Sequence, residues 1–397
     1  MTGDATDGHC DVSIILPCLN EEKTLPYCIG LAREALAEMQ KRFGYSGEIV
    51  VADSGSSDRS REIAAALGVT VVQAGQRGYG RALIEGFSAA RGRFLVMGDS
   101  DGSYDFRESV AMVEALAKGD DLCMGTRLKG RIMPGAMPFK NRYIGNPALS
   151  GLLRLLFRSG LSDAHSGMRA ITAEAFRNLR LSSEGMEFAS EMVIKAALLG
   201  LKRSEVPITL YPDRRGRRPH LRPWRDGWRH LRYMLMLAPG WLFLVPATLL
   251  AILSLAVAVP DLVLANPEGY WFLFGTHWLI MACTGLILSH GLFLFGMAGV
   301  VYGIRSGYRP PLQRDNRLAR IWSLEIVMIT GLVLVLTGAA GIVWAGVRWV
   351  QVDFSSPNQI RELLVCCTLL VIGAQHIFGG FLLSIIGGNR SKFLSPV

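Results

Sequence analysis

Residues 93–106 read "RFLVMGDSDGSYDF": an apolar run, Phe94–Met97, leads into a turn with two carboxylates, Asp99 and Asp101, one residue apart. In a continuing strand these two side chains would share a face and repel one another. In a turn just past a buried strand they can converge on one point, and a cation at that point accounts for the pair. The stretch reads as a strand followed by a ligand-bearing turn.

Neighbouring stretches repeat the pattern. "DVSIILP" (11–17) is a short apolar run ending in proline, a buried-strand signature. The segment 20–43 that follows has helical spacing at Leu31, Ala35 and Met39. "EIVVADSGSSDRSREIAAALG" (48–68) is again strand, turn and helix, with Ser57 or Asp58 as a natural N-cap. "VTVVQAG" (69–75) predicts a third strand and Arg81–Ala90 a third helix. Phe106–Ala117 predicts a helix and "DLCMGTR" (121–127) a fifth strand. Strands alternating with helices imply an open, mostly parallel sheet with helices on both faces, an α/β fold. Ligands of such sheets collect at the carboxyl ends of the strands, where each polar cluster lies.

The 397-residue chain is half hydrophobic, but unevenly so. Up to about residue 235 it is mixed, like a soluble domain. Beyond residue 240 it is dominated by four apolar runs, Gly240–Val259, Trp271–Ile304, Ile321–Val347 and Leu363–Gly388. A bilayer-spanning helix needs about 20 apolar residues, so each run is a candidate span. The opening "MTGDATDGHC" is too polar for a signal peptide, which predicts a cytosolic location for the first half. The segment 305–320 carries Arg305, Arg309, Arg314, Arg317 and Arg320, whereas 260–270 has no Lys or Arg. Positive residues stay inside, so this loop and both termini are expected in the cytoplasm.

The seven cysteines form no C-x-x-C pair, which argues against a disulfide framework or a zinc site. The net charge of +9 is concentrated in residues 214–232, where eight arginines face one acid, Asp226. Because this stretch directly precedes the first span, anionic headgroups or a lipid phosphate fit it better than nucleic acid. On a helix, Trp224, Trp228, Leu231 and Leu235 form one apolar stripe flanked by Arg222, Arg225, Arg229 and Arg232, the pattern of an interfacial helix. Upstream, Gly216, Pro219 and Pro223 predict a loop.

The polar clusters carry the chemistry. Asn20 and Glu21 in "LPCLNEE" (16–22) are, alone, ordinary helix-start residues. Asp53 suits ribose hydroxyls or a base N–H, and equally a capped turn. Gly78 and Gly80 allow close backbone approach, but their spacing is neither the dinucleotide fingerprint nor a Walker A loop. Asp99 and Asp101 suit Mg²⁺ or Mn²⁺, hard cations that take a few carboxylates and complete their shell with substrate phosphates and water. An acidic helix cap explains Asp105 and leaves the other two unexplained. "LSDAHSGMRA" (161–170) brings Asp163, Ser166 and Arg169 around Gly167, able to position an acceptor; alternatively Asp163 and Arg169 pair as ions. His165 reads as a polar loop residue, and Glu187 and Glu191 as a solvated pair one helical turn apart.

Taken together, "SIILPCLNEEKTL", "VVADSGSSDRS", "GYGRALIEGF", "GDSDGSYDF", "MGTRLKGRIMPGAMPFKNRYIGNP", "LSDAHSGMRA" and "RPWRDGWRHLRYML" resemble the polyprenyl-phosphate (dolichol-phosphate) sugar synthases, inverting transferases of the GT-A fold. The resemblance covers most of residues 11–236 and implies a GT-A domain at 1–213, an Arg-rich acceptor loop and interfacial helix at 214–239, and four transmembrane helices at 240–397. It implies hexose transfer from a UDP-glucose-like donor or GDP-mannose to polyprenyl phosphate on the cytoplasmic face of the membrane. It also implies residue roles. Pro17, Asn20, Glu21, Asp53, Gly78, Asp99 and Ser100 would contact the nucleotide sugar. Asp99 and Asp101 would hold the metal. Asp101, Asp163 and Arg169 would be catalytic. Arg127, Arg131, Ser166, Arg214 and Arg215 would bind the acceptor phosphate. An anionic acceptor oxygen needs no strong base, so the reaction rests on positioning and charge.

Two rivals are a processive polysaccharide synthase, whose Q-x-x-R-W motif the sequence lacks, and a non-catalytic nucleotide-sugar sensor. A transporter is disfavoured because the spans hold few ionisable residues, chiefly His277, His290, Glu325 and His376. The sequence leaves the oligomeric state open.

Overall fold

The computed structural model describes residues 10–216, 223–263, 275–311, 322–351, 360–389 and 391–394. The chain divides into two compact units, Met1–Met234 and Leu235–Val397, a boundary inside the expected interfacial segment.

The first unit is built on a seven-stranded sheet of order β3-β2-β1-β4-β6-β5-β7. Its strands are β1 (Val12–Cys18), β2 (Gly47–Asp53), β3 (Thr70–Gln73), β4 (Phe94–Met97), β5 (Leu122–Ile132), β6 (Arg169–Thr172) and β7 (Arg203–Leu210). Pairs β1–β2, β2–β3, β1–β4 and β5–β7 are parallel. β6 runs antiparallel between β4 and β5. The expected mostly parallel sheet is present, and the five expected strands are β1 to β5. β6 and β7 were not foreseen. β6 reads RAIT, opening on a charged residue, and lacks the apolar run that marks the equally short β4.

Helices α1 (Leu25–Phe43), α2 (Ser60–Ala66), α3 (Tyr79–Ala89), α4 (Ser109–Ala117), α5 (Asn146–Phe157), α6 (Ala173–Leu179) and α7 (Phe188–Leu198) surround the sheet. Leu31, Ala35 and Met39 of α1 bury the face their spacing implied, against Ile14, Leu16 and Val51 in one core. Gly44, at φ +74°, ends that helix in the left-handed conformation that favours glycine. α2 begins one residue later than expected: Arg59 occupies the cap position, and the Asp58 carboxylate accepts from the Ser60 N–H.

Glu191, expected in solvent, is fully buried in α7. It accepts from the backbone N–H of Ser182 and Ser183 and pairs with Lys195 at 2.7 Å, so its charge is compensated on three sides.

Helix α8 (Pro223–Leu237) forms as expected and spans the division between the units. Its inward face lies outside the expected stripe. His230 and Met234 are buried, whereas Trp228 is 60% exposed, together with Arg225, Arg229 and Arg232. The side chains of Arg222 and Trp224, and residues 217–222 of the expected loop, lie outside the described residues.

Among the described residues of the second unit, four helices are long and apolar enough to cross a membrane: Gly240–Val263, Thr276–Arg305, Leu324–Gln351 and Ile360–Ile386. The first is a π-helical turn, Gly240–Leu244, followed by α9 (Val245–Val263). The others are α10 (Thr276–Arg305), α11 (Leu324–Gln351) and α12 (Ile360–Ile386). Small residues let α11 and α12 approach closely: a Cβ at Gly338 would sit 2.6 Å from the Cys366 carbonyl, and one at Gly373 2.8 Å from that of Gly331. Mid-bundle, His290 of α10 hydrogen-bonds Gln375 and His376 of α12, pairing polar groups that lipid cannot solvate. All seven cysteines are free.

Candidate active site

The loops after β1, β2 and β4 meet at the carboxyl edge of the sheet. Asn20 stands at φ +57°, a left-handed conformation that asparagine tolerates. Its Oδ1 accepts from the Ser57 N–H at 2.7 Å, and its own N–H donates to Ser56 Oγ at 2.9 Å. The Glu21 N–H donates to Ser60 Oγ. These bonds fasten the β1 loop to the β2 turn. Asp53 is fully buried, and its carboxylate accepts from Gly55 and Ser56 N–H, so it shapes the turn from within. Ser100 donates to the Pro17 carbonyl, and Thr24 Oγ1 donates to the Ser100 carbonyl, binding the β4 turn to β1.

The two aspartates face different surroundings. Asp99 is half-buried, and Tyr79 donates its hydroxyl to Oδ1 at 2.9 Å. Burial, and then the charge of Asp101, push its carboxyl up to about 6. Asp101 is buried, and its Oδ1 accepts from the Ser103 N–H and hydroxyl. Its Oδ2 lies 2.9 Å from Arg215 Nη2, and Arg215 Nε lies 3.0 Å from Glu21 Oε1. One guanidinium thus bridges Glu21 and Asp101, borders a cavity of about 180 Å³ lined also by Asn20, Thr24 and Asp58, and supplies positive charge to the aspartate pair. Arg214 donates its N–H to the Asp101 carbonyl and lays its side chain 3.9 Å over the Tyr27 ring. Among the described residues no group of three or more His, Cys, Asp or Glu could hold a metal ion. Two mutually repelling carboxylates without a third fit a hard divalent cation that draws its other oxygens from phosphate and water.

The "LSDAHSGMRA" loop packs directly on Asp99. A Cβ at Gly167 would collide with Asp99 Oδ2, and the Gly167 N–H donates to the Tyr104 hydroxyl at 2.9 Å. Asp163 is fully buried and takes two charge-assisted bonds from Arg127, from Nε at 2.7 Å and Nη2 at 2.8 Å. The alternative of an Asp163–Arg169 pair is therefore incorrect. Arg169, 1% exposed, instead donates to the carbonyls of Ala164, Ser166 and Ala189, tying the loop to α7. Ser166 is fully buried, and its hydroxyl lacks a partner among the described residues. Arg131 is exposed on the outer part of β5.

Gly78 is required by packing, since a Cβ there would overlap the Glu184 carbonyl; its N–H donates to Ser54 Oγ. Tyr79 and Tyr104 were missed by sequence reasoning, although Tyr104 lies inside the motif itself. His165, expected as a polar loop residue, stands in a turn and joins Ser190 and, through it, His230.

Residues 13–180 match the model of glycosyl transferase family 2, and residues 297–387 match that of the glycosyltransferase family 2 C-terminal transmembrane region. The low-salt glycan biosynthesis hexosyltransferase Agl6 of Haloferax volcanii is 37% identical over 386 residues, 95% of this chain and 89% of that protein. The glycosyltransferase AglJ of the same organism is 32% identical over 54% of this chain and 68% of its own. Among solved structures, glucosyl-3-phosphoglycerate synthase from Mycobacterium tuberculosis, in complex with Mn²⁺, uridine diphosphate and glucosyl-3-phosphoglycerate, is 22% identical. It covers 57% of this chain and 78% of its own, with a TM-score of 0.43. The chain is a membrane protein of the GT-A fold, and it belongs to glycosyl transferase family 2 with that family's C-terminal transmembrane region.

Proposed function

We propose that this glycosyltransferase moves a hexose from a UDP-glucose-like donor or GDP-mannose to polyprenyl phosphate at the cytoplasmic face of the membrane. The product is a lipid-linked sugar for glycan assembly, the setting in which its Haloferax relative is named. The observation that carries the reading is the Asp99–Asp101 pair, crowded enough to raise Asp99 and bordered by the Arg215 guanidinium, in a chain with four apolar spans. Such a cleft suits a diphosphate, and the spans suit a lipid acceptor.

The reaction breaks the bond between the anomeric carbon and the leaving diphosphate oxygen. It forms one from that carbon to the acceptor phosphate oxygen on the opposite face, with inversion. Asp99 and Asp101 would hold Mg²⁺ or Mn²⁺, which offsets charge on the leaving diphosphate. Asn20, Glu21 and Asp53 shape the nucleoside pocket, with Pro17, Gly78 and Ser100 supplying its backbone frame. Asp163, fixed by Arg127, and Arg169, fixed on three carbonyls, hold the acceptor loop against Asp99. Arg131 and Arg214, on the surface, and Ser166 would meet the acceptor phosphate, with Arg215 changing partner when the donor arrives. Exposed Trp228 and its neighbouring arginines suit a helix lying in the headgroup layer. The Arg305–Arg320 loop and both termini face the cytosol under the positive-inside rule.

The test is a panel. Purified protein in detergent is incubated with radiolabelled UDP- and GDP-sugars, Mn²⁺, and either polyprenyl phosphate or the unphosphorylated polyprenol. Label entering the organic phase only with the phosphorylated lipid supports the reading. Transfer to the alcohol as readily as to the phosphate would overturn it.

A further inference from the structure

Between the acceptor loop and α8 lies a chain of polar side chains that the proposed chemistry does not use. His165 Nε2 lies 3.2 Å from Ser190 Oγ, and Ser190 Oγ lies 2.7 Å from His230 Nδ1. The two rings meet edge to face, with centroids 5.0 Å apart. Ser190 is fully buried and His230 is 6% exposed. Each residue comes from a different element: the loop before β6, the first turn of α7, and the middle of α8.

We propose that His165, Ser190 and His230 form a hydrogen-bonded relay of positioning residues that fixes the acceptor loop against Asp99 and couples that loop to α8. The placement of α8 at the membrane surface rests on the proposed function; the relay itself does not.

The chemistry of the contact constrains the three residues jointly. Ser190 has one hydroxyl hydrogen and faces two ring nitrogens, so it donates to one and accepts from the other. If His230 carries its proton on Nδ1, Ser190 donates to His165 Nε2, and the His165 proton sits on Nδ1. If His165 carries its proton on Nε2, the chain reverses and His165 Nδ1 is a bare lone pair. The two tautomers are linked, and neither ring can turn without breaking the chain. His165 stays neutral in either arrangement, because burial and the charges of His230, Arg169 and Arg127 hold it well below its ordinary value. His165 Nδ1 is buried without a partner among the described residues, so the Ser190 bond is the only polar restraint on this ring.

The consequence reaches the reacting centre through a short path. His165 lies two residues from Asp163, held by Arg127, and two from Gly167, which abuts Asp99 and donates to Tyr104. The Ser190 bond thus anchors the loop midway between these two contacts, and its loss removes that anchor. At the other end, α8 continues in sequence toward the first span. A movement of α8 is therefore transmitted to the loop through one serine hydroxyl.

The side chains suggest isosteric tests. An Asn amide places a polar atom near a histidine Nδ1, and a Gln amide places one near Nε2. His230→Asn and His165→Gln should keep the relay, while His230→Leu, His165→Leu and Ser190→Ala should cut it. Without donor or acceptor, amide hydrogen exchange over Ala164–Met168 should accelerate at least tenfold in the cut variants and less than threefold in the isosteric ones. In the transfer assay, the cut variants should lose about 10–100-fold in kcat, with KM for the sugar nucleotide within twofold of wild type. His165→Leu combined with His230→Leu should be no worse than either alone, since both cut one chain. The relay is overturned if Asn and Gln perform no better than Leu, if exchange in the loop is unchanged, or if the two leucine effects multiply. The exchange readout needs no turnover, so it stands apart from any failure of the proposed reaction. If Ser190→Ala does not fold, the Asn–Leu comparison at His230 carries the test.

Discussion

Gly167→Ala is a small change with a large expected effect. The added Cβ falls 3.0 Å from Cε2 of Tyr104 and 3.1 Å from Cγ of Asp99, with the carboxylate Oδ2 closer still. Neither neighbour yields freely. Asp99 is held by the Tyr79 hydroxyl, and Tyr104 is 3% exposed with its hydroxyl engaged by the Gly167 N–H. Overpacking of this kind costs about 1–3 kcal/mol, and in a domain of this size each kcal/mol lowers the melting temperature by about 2–4 °C. Relief by shifting Asp99 about 1 Å would reduce transfer by about 100-fold. Gly151→Ala is the control: its Cβ meets only Arg154 Nη2, at 3.9 Å, in the middle of α5. That variant should keep full activity and gain about 0.5–1 kcal/mol. Transfer rate, thermal melting and Mn²⁺ affinity by electron paramagnetic resonance are measured on both. Wild-type activity and wild-type Mn²⁺ affinity in Gly167→Ala would refute the packing of this loop against Asp99.

Other consequences are as direct. Arg127→Ala leaves the buried Asp163 carboxylate without its guanidinium, an event that costs about 3–5 kcal/mol, so denaturant unfolding should show a lowered midpoint; an unchanged midpoint contradicts the pairing. Asp99 titrates higher in the folded chain than its ordinary 3.8, so it contributes stability below pH 4 that is lost as pH rises toward 6. Asp99→Asn should therefore melt higher than wild type at pH 7 in EDTA, and an equal or lower melting temperature tells against the crowded pair. Arg215→Ala removes a cation competing for Asp101, so nucleotide-free Mn²⁺ binding should tighten several-fold by titration calorimetry; weaker binding contradicts the bridge. In a cysteine-free background, a membrane-impermeant thiol reagent added outside should miss a cysteine at Ser306 and label one at Asn266; the opposite pattern reverses the orientation.

Much of the fold was legible because β1, β2 and β4 are apolar runs that end abruptly on polar residues. Asn20, Asp53 and Asp99 each follow such a run, and all three stand at the same sheet edge. The four spans were legible from length and hydropathy. What escaped were pairings across sequence distance. Nothing local says that Asp163 belongs to Arg127 rather than to Arg169, or that Tyr79 faces Asp99. β6 has no apolar run to announce it, because it opens on Arg169, which it carries into the sheet. The inward face of α8 escaped for a different reason: hydropathy picks out Trp228 and its stripe, and says nothing of the buried His230, whose polarity is satisfied by Ser190. Glu191 failed likewise, because two backbone N–H groups and Lys195 compensate a charge that the sequence shows alone.

The central claim is that Asp99 and Asp101 organise hexose transfer from a nucleotide sugar to polyprenyl phosphate. Its most direct test is the initial rate of lipid-linked product formation in detergent, for wild type and Asp101→Asn, with Mn²⁺ or with EDTA. The account predicts robust transfer only for wild type with Mn²⁺, and at least a 100-fold lower rate in the other three conditions, with the variant melting as a folded protein. Undiminished transfer by Asp101→Asn, or by wild type in EDTA, would contradict it.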